Sequence, residues 1–209
     1  MRVSSESHVG LRRKSQEDSY SVDEKQKLFI IADGMGGHSN GAEASKVAVE
    51  AFLEKFDPSK PFSDAVIYAD KKVQEIEKTK RMFGSNPGTT FIAAHKDGVY
   101  FRWVSIGDSY IFHVKKDGIQ IINPLDEMGG MLTQALGGHY DYLDPHVGKV
   151  KLEEGEFLLL ASDGIDDISH KEIHKIVTTT KFEDIAQTLI DKVNESGGRD
   201  NITVICVSE

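Results

Sequence analysis

The chain has 209 residues, a formal net charge of −9 and a single cysteine, Cys206. The acidic balance argues against a nucleic-acid-binding surface, which needs clustered lysine and arginine, and one cysteine excludes a disulfide framework and a cysteine-based zinc site. The apolar runs are far shorter than the ~20 residues that cross a bilayer, so we expect a soluble, cytoplasmic protein with neither nucleic-acid nor membrane partners.

The first third of the chain is predicted to contain three short strands followed by two helices. Its predicted strands are Ser4–His8, Ser19–Val22 and Lys27–Ala32. The third strand is apolar without alternation, as expected of a strand that is buried on both faces. It delivers Asp33 into a series of glycines, so we expect Asp33 to lie on a flexible loop. Residues 40–56 and 63–76 carry apolar side chains at helical spacing and are predicted helices.

The middle of the chain is predicted to be a series of β-hairpins. Its strands are Thr89–His95, Val99–Ile106, Tyr110–Val114, Ile119–Ile122, His146–Leu152 and Glu156–Ala161. Asp-Gly turns at residues 97–98 and 117–118 favour antiparallel pairing. Residues 123–143, rich in glycine and aspartate, are predicted to form a loose loop that includes the segment Met128-Gly129-Gly130.

The order of elements indicates the fold class. Ser169 and Glu172 form a capping box that starts a short helix, a longer helix ends at Gly197, and Ile202–Val207 forms a last strand around a buried, structural Cys206. Clustered strands with helices in separate pairs predict an α+β fold. We expect a central sandwich of two antiparallel β-sheets flanked by helices in α-β-β-α layers, with residues 1–209 in one domain.

Carboxylates follow several of the predicted strands. Asp33, Asp163 and Asp200 lie at strand–loop junctions, and Glu17 and Asp18 lie at another loop edge. Each alone is most simply a turn residue. Like charges that converge need a cation to offset their repulsion, and two divalent ions sharing one carboxylate can activate water and clamp a phosphoryl group. The joint pattern therefore predicts a site for Mg²⁺ or Mn²⁺.

Seven short motifs occur in the order that characterises one enzyme family. They are Arg13-x-x-x-Glu17-Asp18, Ala32-Asp33-Gly34-Met35-Gly36-Gly37-His38, Gly88-Thr89-Thr90, Gly107-Asp108-Ser109, Leu132-Thr133-Gln134-Ala135-Leu136-Gly137, Ser162-Asp163-Gly164 and Asp200-Asn201-Ile202-Thr203. Through them the chain resembles the metal-dependent protein serine/threonine phosphatases of the PP2C type, also called the PPM family, in their bacterial form. The resemblance covers nearly the whole chain.

The resemblance implies hydrolysis of phosphoserine and phosphothreonine monoesters on proteins, with two tightly bound Mn²⁺ or Mg²⁺ ions. It implies that Asp33 bridges the two ions, that Asp163 and Asp200 bind one of them, and that Glu17 and the Gly34 carbonyl bind the other. A hydroxide that bridges the ions would attack phosphorus without a covalent phosphoenzyme. The implied partners are phosphoprotein substrates of a serine/threonine kinase.

Three supporting roles are implied as well. Arg13 would bind the substrate phosphate, because a planar guanidinium donates two parallel hydrogen bonds to phosphate oxygens. Asp18 would orient metal-bound water, and Asp108 with Asp163 would bind a third, weaker ion. The alternatives are a solvated basic patch for Arg13 and an ordinary turn for Asp108.

The chain departs from the family pattern at several places. Tyr110 replaces the usual arginine after Gly-Asp-Ser, Asp166 replaces a small hydroxyl residue, and Met35 stands where eukaryotic members have a histidine. Only Asn123–Met131 is available for the flap beside the active site, so we expect a shortened flap that alters substrate selection more than catalysis. His170 lies four residues before a second histidine, but the spacing does not match a zinc protease.

Two rival functions remain open from the sequence. One is a hydrolase of small phosphate esters, which a short flap would favour. The other is a catalytically inactive phosphatase fold that binds a partner, which the retained carboxylates disfavour.

Overall fold

The computed structural model describes residues 1–36, 39–80, 87–138 and 143–209, and for Ser39 and residues 77–80 only the backbone. The described strands, β1 to β13, are Arg2–His8, Asp18–Asp23, Leu28–Met35, Gly88–Thr89, Phe91–Asp97, Tyr100–Ile106, Tyr110–Lys115, Gly118–Ile121, Glu127–Met128, Met131–Leu132, His146–Val150, Phe157–Ala161 and Ile202–Ser208. The described helices, α1 to α4, are Ser39–Lys55, Phe62–Lys80, His170–Thr179 and Ile185–Ser196, with 3-10 turns at Asp163–Asp167 and Phe182–Asp184.

Two antiparallel sheets form the centre of the molecule. One has the strand order β1-β13-β12-β7-β8 and the other β11-β6-β5-β3-β2, while β4 pairs with the end of β3. The sheets pack face to face through apolar side chains of both, and α1 with α2 and α3 with α4 cover the two outer faces. The predicted α+β sandwich is therefore confirmed.

Strand β3 shows why the sequence folds in these layers. Leu28 and Ile30 pack against the α1–α2 side, whereas Phe29 and Ile31 pack between the sheets, and all four are fully buried. Successive strand residues point to opposite faces, so an uninterrupted apolar run fits only a strand that is covered on both sides. Full burial of each such side chain contributes roughly 1.5–3 kcal/mol.

The end of β3 differs from the sequence-based expectation. The strand continues to Met35, so Asp33 lies within a paired strand and not on a flexible loop. The additional pairing comes from β4, where Gly34 lies opposite Thr89. Glycine here allows close backbone approach and does not end the strand. Gly37 and His38, which complete this motif, lie outside the described residues.

The segment predicted as a loose loop contains a short hairpin, so that prediction was wrong for its first part. Strands β9 and β10 pair antiparallel around Gly129 and Gly130, whose φ angles are 63° and 80°. Two successive positive φ angles are typical of a two-residue hairpin turn. This hairpin occupies the position of the expected flap.

The remaining elements match their predictions more closely. The Ser169–Glu172 capping box is present at the start of α3, and Cys206 is buried and unpaired. Within the described ranges, none of the helices combines the length and apolar character that crossing a bilayer requires.

Candidate metal and phosphate site

A cavity of about 220 Å³ lies where strand ends of both sheets meet. Seven of the eight predicted site residues line it, the exception being Asp18. They are Arg13, Glu17, Asp33, Gly34, Asp108, Asp163 and Asp200. Residues separated by more than 180 positions in the chain thus share one small space.

Asp33 is held at the cavity by the threonines that follow α2. The Asp33 N–H donates to Thr90 Oγ1 at 3.0 Å, and the Asp33 carbonyl accepts from Thr89 Oγ1 at 2.8 Å and from the Thr90 N–H at 2.9 Å. Thr90 Oγ1 also contacts Ser109 Oγ at 2.8 Å. No role was predicted for these hydroxyl groups from the sequence; they fix the backbone of Asp33 and the turn that carries Asp108.

The carboxyl groups of the cavity lie close enough to disfavour simultaneous ionisation. Burial raises the pKa of Asp33 well above its usual value, and the charges of Asp18, Asp163 and Asp200 raise it further. Burial also raises the pKa of Asp163 to about 6 and that of Asp108 to about 6. Such clustering is costly unless a cation or protons compensate the charge.

Asp18 lies behind the cavity and is almost fully buried. Its Oδ2 accepts from Ser162 Oγ at 2.8 Å and from Thr203 Oγ1 at 2.6 Å. Its Oδ1 is buried and accepts no hydrogen bond from a donor in the described structure, and the same holds for Asp163 Oδ1. The carboxyl groups of both residues lie against that of Asp33. Buried polar atoms normally have partners, so these two oxygens indicate that the site binds a further group.

The loop that carries Glu17 is fixed by close backbone packing. The Gly34 N–H donates to the Glu17 carbonyl at 3.1 Å. A Cβ on Gly34 would lie 2.1 Å from the Gly41 carbonyl oxygen, and a Cβ on Gly41 would lie 2.1 Å from Glu17 Oε2. Sequence reasoning missed Gly41, although glycine within a predicted helix costs about 1 kcal/mol relative to alanine and is a signal of close packing.

Asn201 secures the same loop from its other side. Its side chain is buried, accepts from the Glu17 N–H at 2.7 Å, and donates to the carbonyls of Val9 at 2.9 Å and Ser15 at 3.0 Å. The motif Asp200-Asn201 therefore combines a candidate ligand with the residue that holds the Arg13–Glu17 loop in place.

Arg13 is exposed at the rim of the cavity and contacts a candidate metal ligand. Its Nη2 donates to Asp200 Oδ2 at 2.5 Å, and this hydrogen bond raises the pKa of Arg13. A guanidinium has five N–H donors, so donors other than this one are available to a phosphate. The predicted phosphate-binding and metal-binding residues thus lie in direct contact.

The donor set fits a hard divalent cation. Within the described ranges, no three His, Cys, Asp or Glu side chains already converge as a metal-binding group. Asp200 contacts Arg13, and the carboxyl groups of Asp33 and Asp163 interact with each other. The hydrogen bonds described above nevertheless fix the backbone around the cavity. The carboxylate side chains can turn toward a bound ion by changing rotamer. Oxygen donors with two unpartnered buried oxygens suit Mg²⁺ or Mn²⁺.

Tyr110 and Asp166, two of the residues that depart from the family pattern, are hydrogen-bonded to each other. The Tyr110 hydroxyl donates to Asp166 Oδ2 at 2.9 Å. Tyr110 lies two residues after Asp108, and Asp166 lies in the 3-10 turn that begins with Asp163. Their hydrogen bond therefore joins the two loops that carry these carboxylates.

The histidine pair of the sequence, His170 and His174, is not part of a metal site in the part of the chain that the structure describes. His174 contacts the Lys115 carbonyl at 2.9 Å, and within the described residues no group of metal ligands surrounds it.

Comparisons with known proteins identify the family of the chain. The family model described as Protein phosphatase 2C matches residues 6–203. Protein phosphatase PhpP of Streptococcus pneumoniae is 29% identical over 242 residues, which covers 100% of this chain and 97% of PhpP. Because that alignment is longer than 209 residues, PhpP contains segments that this chain lacks.

Solved structures share the architecture from end to end. The serine/threonine phosphatase PstP/Ppp of Mycobacterium tuberculosis superposes with a TM-score of 0.88 at 25% identity, covering 98% of this chain and 97% of that one. The catalytic domain of PstP in complex with two manganese ions superposes with a TM-score of 0.85 at 27% identity, covering 98% and 96%. With the family match extending over most of its length, this chain belongs to the protein phosphatase 2C family.

Proposed function

We propose that this chain, acting as one phosphatase domain, hydrolyses phosphoserine and phosphothreonine monoesters on proteins with the help of Mn²⁺ or Mg²⁺. The observation that carries this proposal is the meeting of five carboxylates with one arginine in a single cavity; the carboxylates are Glu17, Asp33, Asp108, Asp163 and Asp200. The substrates would be phosphoproteins produced by a serine/threonine kinase in the cytoplasm.

The residues divide into ion-holding and supporting groups. We propose that Asp33 binds two ions, that Asp163 and Asp200 complete one position, and that Glu17 and the Gly34 carbonyl complete the other. Bound ions would supply an activated water and would neutralise charge on the phosphoryl oxygens. The like-charged carboxylates around Asp33 support this assignment, because their repulsion is offset only when cations or protons bind.

Arg13 and Asp18 would act on substrate and water. Arg13 lies at the exposed rim and can donate to phosphate oxygens, which fixes the orientation of the phosphoryl group. Asp18 Oδ2 accepts from two hydroxyl donors, and its Oδ1, which has no donor in the described structure, would accept a hydrogen bond from the attacking water. The Asp18 carboxylate thereby orients the water for in-line attack.

Attack by water without a covalent phosphoenzyme is part of this proposal, because bound ions would occupy the carboxylates of the cavity, which could otherwise act as nucleophiles. Thr90 is the only hydroxyl or thiol side chain among the described residues that line the cavity. Its Oγ1 is already engaged by the Asp33 N–H and by Ser109 Oγ. Its Oγ1 is therefore committed to two structural hydrogen bonds and is not free to attack a phosphoryl group.

Turnover of a phosphothreonine peptide with Mn²⁺, with Mg²⁺ and with a chelator tests the proposal. We expect phosphate release that depends on either metal and stops with the chelator. Nucleotides and a phosphodiester assayed in parallel address the small-ester rival, which gains support if they turn over faster than the peptide. An absence of turnover on every ester, despite binding of the phosphopeptide, would support the inactive binding module.

Replacing Arg13 with alanine should lower kcat/KM on phosphopeptides by roughly 10- to 100-fold, the equivalent of one or two charge-assisted hydrogen bonds. Mn²⁺ should still bind, because the proposed substrate contact is with phosphate. Calorimetry for Mn²⁺ and steady-state kinetics measure the two effects separately. Arg12→Ala is the matched control, since Arg12 is the exposed neighbour and lines no part of the cavity. Loss of Mn²⁺ affinity in the Arg13 variant would show that Arg13 stabilises the metal site instead.

Asp108 is proposed to bind a third, weaker ion with Asp163. The Asp108→Ala variant should keep both tight ions but reach only about a hundredth of the wild-type kcat. The third ion would assist proton transfer to the leaving group, and such general acid catalysis typically contributes ~10²–10⁴-fold. A titration of activity against Mn²⁺ concentration, alongside calorimetry, provides the measurement. An unchanged kcat at every Mn²⁺ concentration would contradict this role.

A further inference from the structure

Asp126 is a buried carboxylate outside the metal cavity, only 7% exposed. Its Oδ2 accepts from the Gly107 N–H at 2.9 Å, and its own N–H donates to the Gly107 carbonyl at 2.9 Å. Gly107 has a φ of 92° and lies immediately before Asp108. Asp126 therefore bonds both the N–H and the carbonyl of Gly107, in the turn that carries Asp108 to the cavity.

The same residue closes the β9–β10 hairpin. The Thr133 N–H donates to the Asp126 carbonyl at 2.8 Å, so the first and last residues of the hairpin segment are bonded to each other. Leu132, the residue before Thr133, lines the metal cavity. Asp126 thus connects two walls of the cavity, the Asp108 turn on one side and Leu132 of the hairpin on the other.

Two side chains orient the Asp126 carboxylate. Its Oδ1 accepts from His146 Nε2 at 2.8 Å and from Gln134 Nε2 at 2.8 Å. His146 begins strand β11 and lies opposite Ser105 of β6, the strand that leads into Gly107. The carboxylate is therefore hydrogen-bonded to the sheet through His146. If the carboxylate moved, both the Asp108 turn and Leu132 would move with it.

A buried carboxylate is costly unless its oxygens are fully hydrogen-bonded. Here three donors from three different segments converge on one side chain, which gives a defined orientation as well as satisfying the charge. We propose that Asp126, oriented by His146, is a positioning residue of the phosphatase site. It fixes the position of Asp108 relative to Leu132 across the cavity. The expected loss of activity rests on the proposed function. The expected effect on the two walls of the cavity rests on the geometry alone.

The test compares three histidine variants. His146→Ala removes the donor, and His146→Gln keeps an N–H at the place of Nε2. His113→Ala is the matched control, because His113 Nε2 contacts Glu156 Oε2 at 2.7 Å in another part-buried histidine–carboxylate pair, and this pair lines no part of the cavity. Hydrogen exchange of residues 105–109 and 127–133 reports on the two walls without requiring turnover.

We expect His146→Ala to accelerate exchange in both segments together and to lower kcat/KM about tenfold, the equivalent of one lost charge-assisted hydrogen bond. His146→Gln should restore both readouts to within about twofold, and His113→Ala should lose thermal stability but keep wild-type kinetics. Unchanged exchange in the His146→Ala variant, or a change in only one segment, would overturn the inference. An inactive wild-type protein would count against the proposed function, while the exchange data would still decide the role of Asp126.

Discussion

Replacing Asp33 with asparagine is expected to abolish turnover, with a loss of kcat on the order of 1000-fold or more, since metal stabilisation of the reaction amounts to several kcal/mol. Asp33 is the carboxylate proposed to bind both ions, and its backbone is fixed by Thr89 and Thr90 on one side. Asparagine keeps the size of the side chain but removes the charge that a divalent ion requires. Steady-state kinetics at saturating Mn²⁺ measure the effect.

The unfolding temperature of the Asp33→Asn variant shows whether activity is lost because a metal ligand is missing or because the protein is unfolded. In the metal-free protein the Asp33 charge lies beside those of Asp18, Asp163 and Asp200, so removing it relieves repulsion. Metal-free Asp33→Asn should unfold at the wild-type temperature or above it. Added Mn²⁺ should stabilise the wild type, because a ligand that binds only the folded state raises its stability, and should have little effect on the variant.

Asp117→Asn is the control for this experiment, because Asp117 is exposed in the turn between β7 and β8. It should leave both kinetics and the Mn²⁺-induced shift in unfolding temperature unchanged. Near wild-type turnover of Asp33→Asn, or an undiminished Mn²⁺-induced shift, would contradict the proposal that Asp33 is shared by two ions.

Replacing Gly34 with alanine is expected to destabilise the protein by about 3 kcal/mol or more, at the upper end of the cost of overpacking. The new Cβ would lie 2.1 Å from the Gly41 carbonyl oxygen and 2.6 Å from the Glu17 carbonyl oxygen. Both are backbone atoms, so relief requires α1 or the Glu17 loop to move as a unit. Activity should fall with stability, because Glu17 is displaced from the cavity.

Gly118→Ala is the matched control, since no atom lies within 4 Å of its added Cβ. Gly118, like Gly34, is a strand residue, and it has no positive φ. Its substitution should change the free energy of unfolding by less than about 1 kcal/mol. Denaturant titrations of both variants give the comparison, and an equal, small effect at the two positions would show that α1 is not tightly packed against β3.

The sequence by itself determined the fold class and the candidate chemistry. The apolar run at Leu28–Ala32 required a strand covered on both faces, and the Asp-Gly turns required antiparallel hairpins. The capping box of Ser169 and Glu172 determined the start of α3. These are local features, because each depends on residues within a few positions of one another. The ordered motifs also contain all the carboxylates that line the cavity.

Only the tertiary structure decided how those carboxylates are held. The hydrogen bonds of Asp33 with Thr90, of Tyr110 with Asp166 and of Asp126 with His146 each join different segments of the chain. The continuation of β3 through Gly34 depends on β4, which lies more than fifty residues further along the chain. Local patterns report the periodicity of one element, whereas hydrogen bonds and close contacts between elements depend on how the elements pack. Packing between elements therefore determined the geometry of the site.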